Sequence, residues 1–407
     1  MDVVITGLGA ISPHGRGVAV LWNGLIEGRS ALAPLTLFDA SMFRSPLAGV
    51  VAGYPDHHDR AANAAGPATR AAAMLQDAAD EALCDAFGIS DAGLIKTNAA
   101  LRRAALITGT NFGGMSAAET ALVAGRDDSS KAALSDYLVG SASAMLAQRY
   151  EIGGPQMNLS LSCASGTAAI GLALDMIRQG RAEIAVACGY DELSLYVYAG
   201  LSALRAITPD TIRPFDKRRK GTLFSEGAGV VVLESAEHAR RRNAPRIHAR
   251  ILGRAMNNDA YHMTAPEQEA RGIQALMRAA LKDAAIARDD VAHINLHATG
   301  TPYNDAIETK AVHAVFGVRG AEIPVCSVKS SIGHCMGAAG IIESIAAVKT
   351  LSENCIPPIL GLEAEHKDPE CGLNTPLGGP LHGDFPVILK TSYGFGGTNA
   401  AIVLSRA

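Results

Sequence analysis

The chain has 407 residues, 48% of them hydrophobic and 19% charged, with a net charge of −4. That composition supplies a large core. It excludes a general nucleic-acid binder, which carries a strong basic excess, and no stretch reaches the ~18 apolar residues of a membrane span.

The opening MDVVITGLGAISPHG lacks a basic n-region and a long apolar run, so no signal peptide is expected. Val3-Val4-Ile5 reads as a buried strand. Gly7-Leu8-Gly9-Ala10 follows and partly resembles a dinucleotide fingerprint, but the third glycine and a helix with its acidic partner are missing. Residues 54–64 (YPDHHDRAANA) are polar and read as a loop. Further strands are expected at Ala105-Leu106-Ile107, Ile184-Ala185-Val186, Val230 to Leu233, Ile294-Asn295-Leu296, Val387-Ile388-Leu389 and Ile402-Val403-Leu404. One helix is expected to start after Cys163 and to run through Ile170, Leu174 and Ile177 to a stop at Gly180. Another covers 272–286, where Ile273, Leu276, Met277, Ala280, Leu281 and Ala284 share a face. The alternation predicts an α/β architecture with covered sheets. Element order suggests two halves, 1–250 and 251–407.

The seven cysteines are odd in number and scattered, with no C-x-x-C pair. Neither a disulfide framework nor a zinc site is expected, and a reducing, cytoplasmic setting fits. Cys163 differs from the other six. In NLSLSCASGTAAIG a β-like run ends at this residue and a helix begins at once. A strand-to-helix turn exposes the sulfur and sets it at the positive end of a helix dipole, which predicts a lowered thiol pKa and a nucleophile. A buried structural cysteine is the plainer alternative.

Two histidines stand in comparable places. His297 ends HINLH and precedes ATGTPYND; His334 lies in SVKSSIGHCMGAAG, between Lys329 and Glu343. A lysine–glutamate pair beside a histidine can fix its orientation, though it can also be a plain surface pair. Near the end, SYGFGGTNA forms a glycine loop able to present N–H groups to an oxyanion, or merely to turn. Residues 213–220, RPFDKRRK, concentrate positive charge as a solvated loop or as a docking patch for an acidic partner.

Together VITGLGAISPHG, SCASGTAAI, RPFDKRRKG with SEGAGVVVLE, DAYHMTAP, HATGTPYND, SVKSSIGHCMGAAG and YGFGGTN resemble the elongating β-ketoacyl-acyl-carrier-protein synthases of the thiolase superfamily, in order and over nearly the whole chain. The resemblance implies a thiolase-like α/β fold, two similar halves in five layers (αβαβα), and a homodimer. It implies that Cys163 carries the acyl group and that His297 and His334 act on a malonyl thioester, organised by Lys329 and Glu343. Backbone N–H groups of Cys163 and Phe395 would form the oxyanion hole. Thr299, Thr301, Phe112, Gly394 and Gly396 would contact substrate, with Phe112 closing the acyl pocket. Arg205 and Arg70 would dock an acidic acyl carrier protein. No metal or redox cofactor is implied, because the substrates ride on the carrier's phosphopantetheine.

Some positions depart from the family pattern: Ala298 and Ser225 for glycines, Cys335-Met336 for a more aliphatic pair, and Tyr393 for phenylalanine. None removes a catalytic group, and together they point to a specialised synthase. The alternative within the same chemistry is a ketosynthase of polyketide or polyene synthesis, paired with a chain-length factor. An inactive partner subunit would lack the nucleophile, and a thiolase would bring a second cysteine to the late glycine run.

Overall fold

The computed structural model describes residues 1–54, 69–95, 98–124 and 134–407. Apart from Tyr54, the polar 54–64 segment lies outside them. Ten strands carry the architecture. The first half holds β1 (Val3–Ser12), β2 (Ala105–Gly109), β3 (Gln156–Leu159), β4 (Ile184–Asp191) and β5 (Gly227–Ser235). The second holds β6 (Ala249–Asn258), β7 (His293–Asn295), β8 (Val325–Cys326), β9 (Val387–Gly394) and β10 (Thr398–Ser405).

The spatial orders are β3-β2-β4-β5-β1 and β8-β7-β9-β10-β6, so each half runs third, second, fourth, fifth, first. Parallel and antiparallel pairings repeat as well: the second strand of each half pairs parallel to the third and fourth, and the remaining pairs are antiparallel. The first strands of the two halves meet antiparallel, with Val3 opposite Ile251 and Ile5 opposite Ala249.

Helices α2 (Ser165–Arg178) and α5 (Ala339–Glu353) lie between the sheets. Their Ile170, Leu174, Ile341 and Ile345 share one core with Ile5 and Val231 of one sheet and Ile388 and Ile402 of the other. Outside, α1 (Arg70–Phe87) covers the first sheet, while α3 (Arg271–Asp283) and α4 (Asn304–Phe316) cover the second. This is the five-layer, thiolase-like arrangement. Burial on both faces explains why β4 and β5 read as continuous apolar runs. Strand β6 escaped sequence reading because it alternates Ile251, Gly253 and Ala255 with Arg250, Leu252 and Arg254 and carries no β-rich run.

The expected helix ends behave as their chemistry requires. Helix α2 ends at Arg178, and the expected stop Gly180 follows the cap residue with φ +68°, which suits glycine. Helix α3 stops at Asp283, short of 286, and Ala285 beyond it takes φ +54°.

Gly7 and Gly9 sit inside β1, and their purpose is packing. A Cβ on Gly7 would lie 2.1 Å from the Ala82 carbonyl oxygen, and one on Gly9 would lie 1.9 Å from that of Ala78. Helix α1 therefore rides directly on the strand. Both obstructing atoms are backbone, so Gly9→Ala is expected to lose roughly 1–3 kcal/mol or more. An unchanged urea midpoint would contradict this packing. Among the described residues, no helix is long and apolar enough to cross a membrane.

Candidate active site

Cys163 stands where β3 hands over to α2. Ser162 before it takes φ +49°, a left-handed turn that a non-glycine residue holds only under tertiary constraint. Ser165 secures the turn: its hydroxyl donates to the Ser162 carbonyl at 2.7 Å and accepts from Leu161 N–H at 2.8 Å. Sγ of Cys163 lies 2.9 Å from Nε2 of His334. One ring nitrogen each from His297 and His334, together with Sγ, all fall within 4.8 Å of one another. The two imidazoles meet edge to face, centroids 5.3 Å apart.

Each ring is locked in one tautomer. Met336 N–H donates to Nδ1 of His334 at 3.3 Å, so the neutral ring carries its proton on Nε2, facing the sulfur. Lys329 Nζ donates to the His297 carbonyl at 2.6 Å and stands 3.3 Å from Nδ1 of that ring, which again leaves the proton on Nε2. Lys329 also pairs with Glu343, and both are buried. Burial, followed by the Lys329 charge, holds both imidazoles well below the ordinary 6.5. They are therefore neutral N–H donors. Glu308 fixes the His297 backbone, accepting from the N–H groups of His297 and Ala298 at 2.8 Å each. Ala298 itself takes φ +31°, a conformation for which glycine is the easier residue.

The sulfur corrects one expectation. Burial pushes the Cys163 thiol up to about 12, with Lys329 opposing, so the resting group is a thiol and not the predicted low-pKa thiolate. Desolvation at the bottom of the site outweighs the helix terminus.

The glycine loop sits on the nucleophile turn. Ser162 Oγ donates to the Phe395 carbonyl at 2.9 Å, and Thr398 Oγ1 donates to that of Leu161 at 2.9 Å. A Cβ on Gly394 would lie 3.0 Å from Cys163 N, which is why no side chain stands there. Cys163, His297, His334, Phe112, Thr299, Thr301, Gly394 and Phe395 all line one cavity of about 770 Å³. The hydroxyls of Thr299 and Thr301 are 3.0 Å apart. Gly396 is a correction. It does not line the cavity; its N–H donates to Met263 and its carbonyl accepts from Asn258.

Arg70 is a second correction. It is only 3% exposed, and its guanidinium turns inward onto Glu226 at 2.6 Å and onto the carbonyls of Val51 and Tyr54, so it cannot meet a docking partner. Arg205 does stand exposed at the cavity mouth. Arg44 and Lys220 stand there too, and among the described residues none of the three has an acidic partner. The rest of the 213–220 cluster is engaged: Arg213 with Asp210, Arg218 with Asp216, Arg219 with Asp368, and Lys217 with the Glu365 carbonyl.

Sequence reasoning missed Asp191 and Phe224. Phe224 stacks on the His334 ring, 27° from parallel. Buried Asp191 accepts from Thr110 Oγ1 at 2.6 Å, Phe112 N at 3.0 Å and Gly337 N at 2.7 Å, clamping the Phe112 loop to the one after His334. Burial raises its carboxyl to about 6. The only available signal for Asp191 was an acidic residue closing an otherwise apolar buried strand. Besides Cys163, His297 and His334, a second group with metal-ligand chemistry, Glu363, Glu365 and His366, lies at or near the surface, away from the cavity.

Residues 1–239 match the family described as Beta-ketoacyl synthase, N-terminal domain, and residues 248–363 match its C-terminal domain. The chain is 35% identical to 3-oxoacyl-acyl-carrier-protein synthase 2 of Coxiella burnetii, over 99% of this chain and 98% of that protein. It is 34% identical to nodulation protein E of Rhizobium meliloti, over 99% of each. Among solved structures it is similar to the ishigamide ketosynthase/chain length factor, with TM-score 0.87 and 33% identity over 100% of this chain and 99% of that one. A type II PKS acyl-carrier protein in complex with its ketosynthase bound to the hexaketide gives TM-score 0.87 at 29% identity, with the same coverage.

Proposed function

The chain belongs to the β-ketoacyl synthase family, and from that premise we propose that it lengthens carrier-bound acyl chains by decarboxylative Claisen condensation. The carrying observation is the convergence of one sulfur and two Nε2–H donors at the base of a single cavity. The Cys163 sulfur attacks an acyl thioester delivered by an acyl carrier protein; the acyl C–S bond transfers, and the released phosphopantetheine thiol takes the proton. A malonyl thioester then enters. The bond between its α-carbon and carboxylate breaks, carbon dioxide leaves, and the electron pair passes into an enolate whose oxygen accepts from His297 and His334. Neutral donors suit that oxygen, since the step needs charge stabilisation and no strong base. The enolate carbon attacks the Cys163 thioester, the thiolate departs and takes up one proton from solvent, and the product is a β-ketoacyl thioester two carbons longer.

The N–H groups of Cys163 and Phe395 form the oxyanion hole for both acyl transfers, which the seating of the glycine loop supports. Thr299 and Thr301 hold the phosphopantetheine arm. No step draws on a metal or redox cofactor. All seven cysteines are free thiols, which supports a reducing, cytoplasmic setting. The exposed edge strand β3 and the exposed Leu122, Val123 and Leu138 support a face covered by a second chain. Incubation with acyl and malonyl carrier proteins, read by product mass, tests the reading. Hydrolysis of the acyl thioester with no longer product would overturn it.

The carrier protein meets the cations at the cavity mouth. Arg205→Glu is expected to raise KM for carrier-bound substrate roughly tenfold while leaving turnover of a small thioester nearly unchanged. Equal effects on both substrates would remove the docking role.

Phe112 sets chain length. It packs against the apolar cluster that includes Leu201 and Met336, and all three line the cavity. Phe112→Ala is expected to move the preference toward longer acyl thioesters, and an unmoved profile would defeat this. A ketosynthase of polyketide or polyene synthesis with a chain-length factor is the second reading, favoured by the ishigamide pair. Repeated condensation that occurs only with a co-expressed partner subunit would select it.

A further inference from the structure

Lys390 has no part in the mechanism above, yet it lies on β9 with 0% exposure. A buried ammonium persists only when it is paired and hydrogen-bonded. Its Nζ stands 2.7 Å from Oε2 of Glu343 and 2.9 Å from Oγ of Ser392, and it donates to the Thr391 carbonyl. The other oxygen of Glu343 takes Lys329, which reaches His297. Ser392 Oγ in turn lies 2.8 Å from Oγ1 of Thr167, in the first turn of the helix that starts beside Cys163.

Two consequences follow from this connectivity. Lys390 joins the nucleophile's helix, the helix carrying Glu343 and the support of His297 into one buried network. It also places a second cation behind the imidazoles: Lys329 and Lys390 share Glu343, while Glu308, the other carboxylate there, accepts from the His297 backbone N–H and is pushed up to about 7 by burial.

We propose that Lys390 is a positioning residue for the condensation: it pins Glu343 against the nucleophile's helix and supplies a second positive charge toward which the enolate develops. The inference rests on the condensation reading. The titratable groups facing the two rings are Cys163, Lys329, Lys390, Glu308 and Tyr393, whose ring lies 5.8 Å from that of His297. The cationic members, Lys329 and Lys390, add to burial in depressing both imidazoles. Protonation of either ring would also place an N–H on Nδ1, against the Lys329 ammonium or the Met336 N–H, and would undo the arrangement.

The test is release of carbon dioxide from malonyl carrier protein as a function of pH, for the wild-type protein, Lys390→Met and Lys390→Gln, with circular dichroism and melting as the check of folding. The wild-type acid limb is expected below the ordinary imidazole value of 6.5. Each variant is expected to lose about tenfold or more in kcat, to keep KM within roughly twofold, and to move the limb to higher pH. A merely structural lysine would lower stability without moving the limb. A folded variant with unchanged kcat and limb overturns the proposal, and so does a wild-type limb at or above 6.5, which decides the matter even if neither variant folds. A wild-type protein that releases no carbon dioxide at all overturns the condensation reading itself and is thereby told apart from a failure of Lys390.

Discussion

Cys163→Ala is expected to abolish chain elongation while malonyl carrier protein still loses carbon dioxide. The two activities separate because different atoms perform them. Elongation needs the sulfur to hold the acyl group as a thioester, and alanine offers no nucleophile. Removal of a covalent nucleophile typically costs on the order of 10⁴-fold or more in rate. Decarboxylation needs only donors at the enolate oxygen, and these are the Nε2–H groups of His297 and His334, whose tautomers are set by Lys329 and Met336 and not by Cys163. Any lengthened product from the alanine variant, measured by mass, would eliminate Cys163 as the acyl carrier.

His297→Ala carries the second large effect. It removes one of two preorganised donors from a desolvated site, where one such donor is worth about 10²- to 10³-fold in kcat. Decarboxylation and condensation should fall together, while acylation of Cys163 by an acyl thioester, followed by intact mass, persists. Loss of acylation at the same magnitude would assign His297 to the first half-reaction instead. The pH dependence has a definite sign. Because burial depresses both imidazoles, they remain neutral as pH falls through 6.5, and the loss of rate begins only below that value.

The corrections share one cause. Arg70 reads as a surface cation because arginine usually is one, yet Glu226, far along the chain, draws it inside. The Cys163 turn was legible from a strand followed at once by a helix, but its thiol pKa was not, because desolvation depends on what packs around the turn: His334 on the sulfur, Phe224 on the His334 ring and the glycine loop on Ser162, all distant in sequence. The missing third glycine already sets Gly7 and Gly9 aside as a phosphate loop, but their packing role emerges only when the carbonyls of Ala78 and Ala82 are seen against them.

By itself, the sequence determined the α/β class, the strands with apolar runs, and the identity of the sulfur and the two imidazoles. The class and the strands rest on local periodicity, which the chain carries wherever it folds, while the sulfur and the imidazoles are singled out by the ordered set of motifs that resembles a known family. Only the tertiary structure decided the repeated strand order of the halves, the tautomer of each ring, the fate of each cation and the burial of Lys390. Those depend on partners brought together from remote positions, and a charge, a proton or a clash has no defined energy until its neighbours are in place.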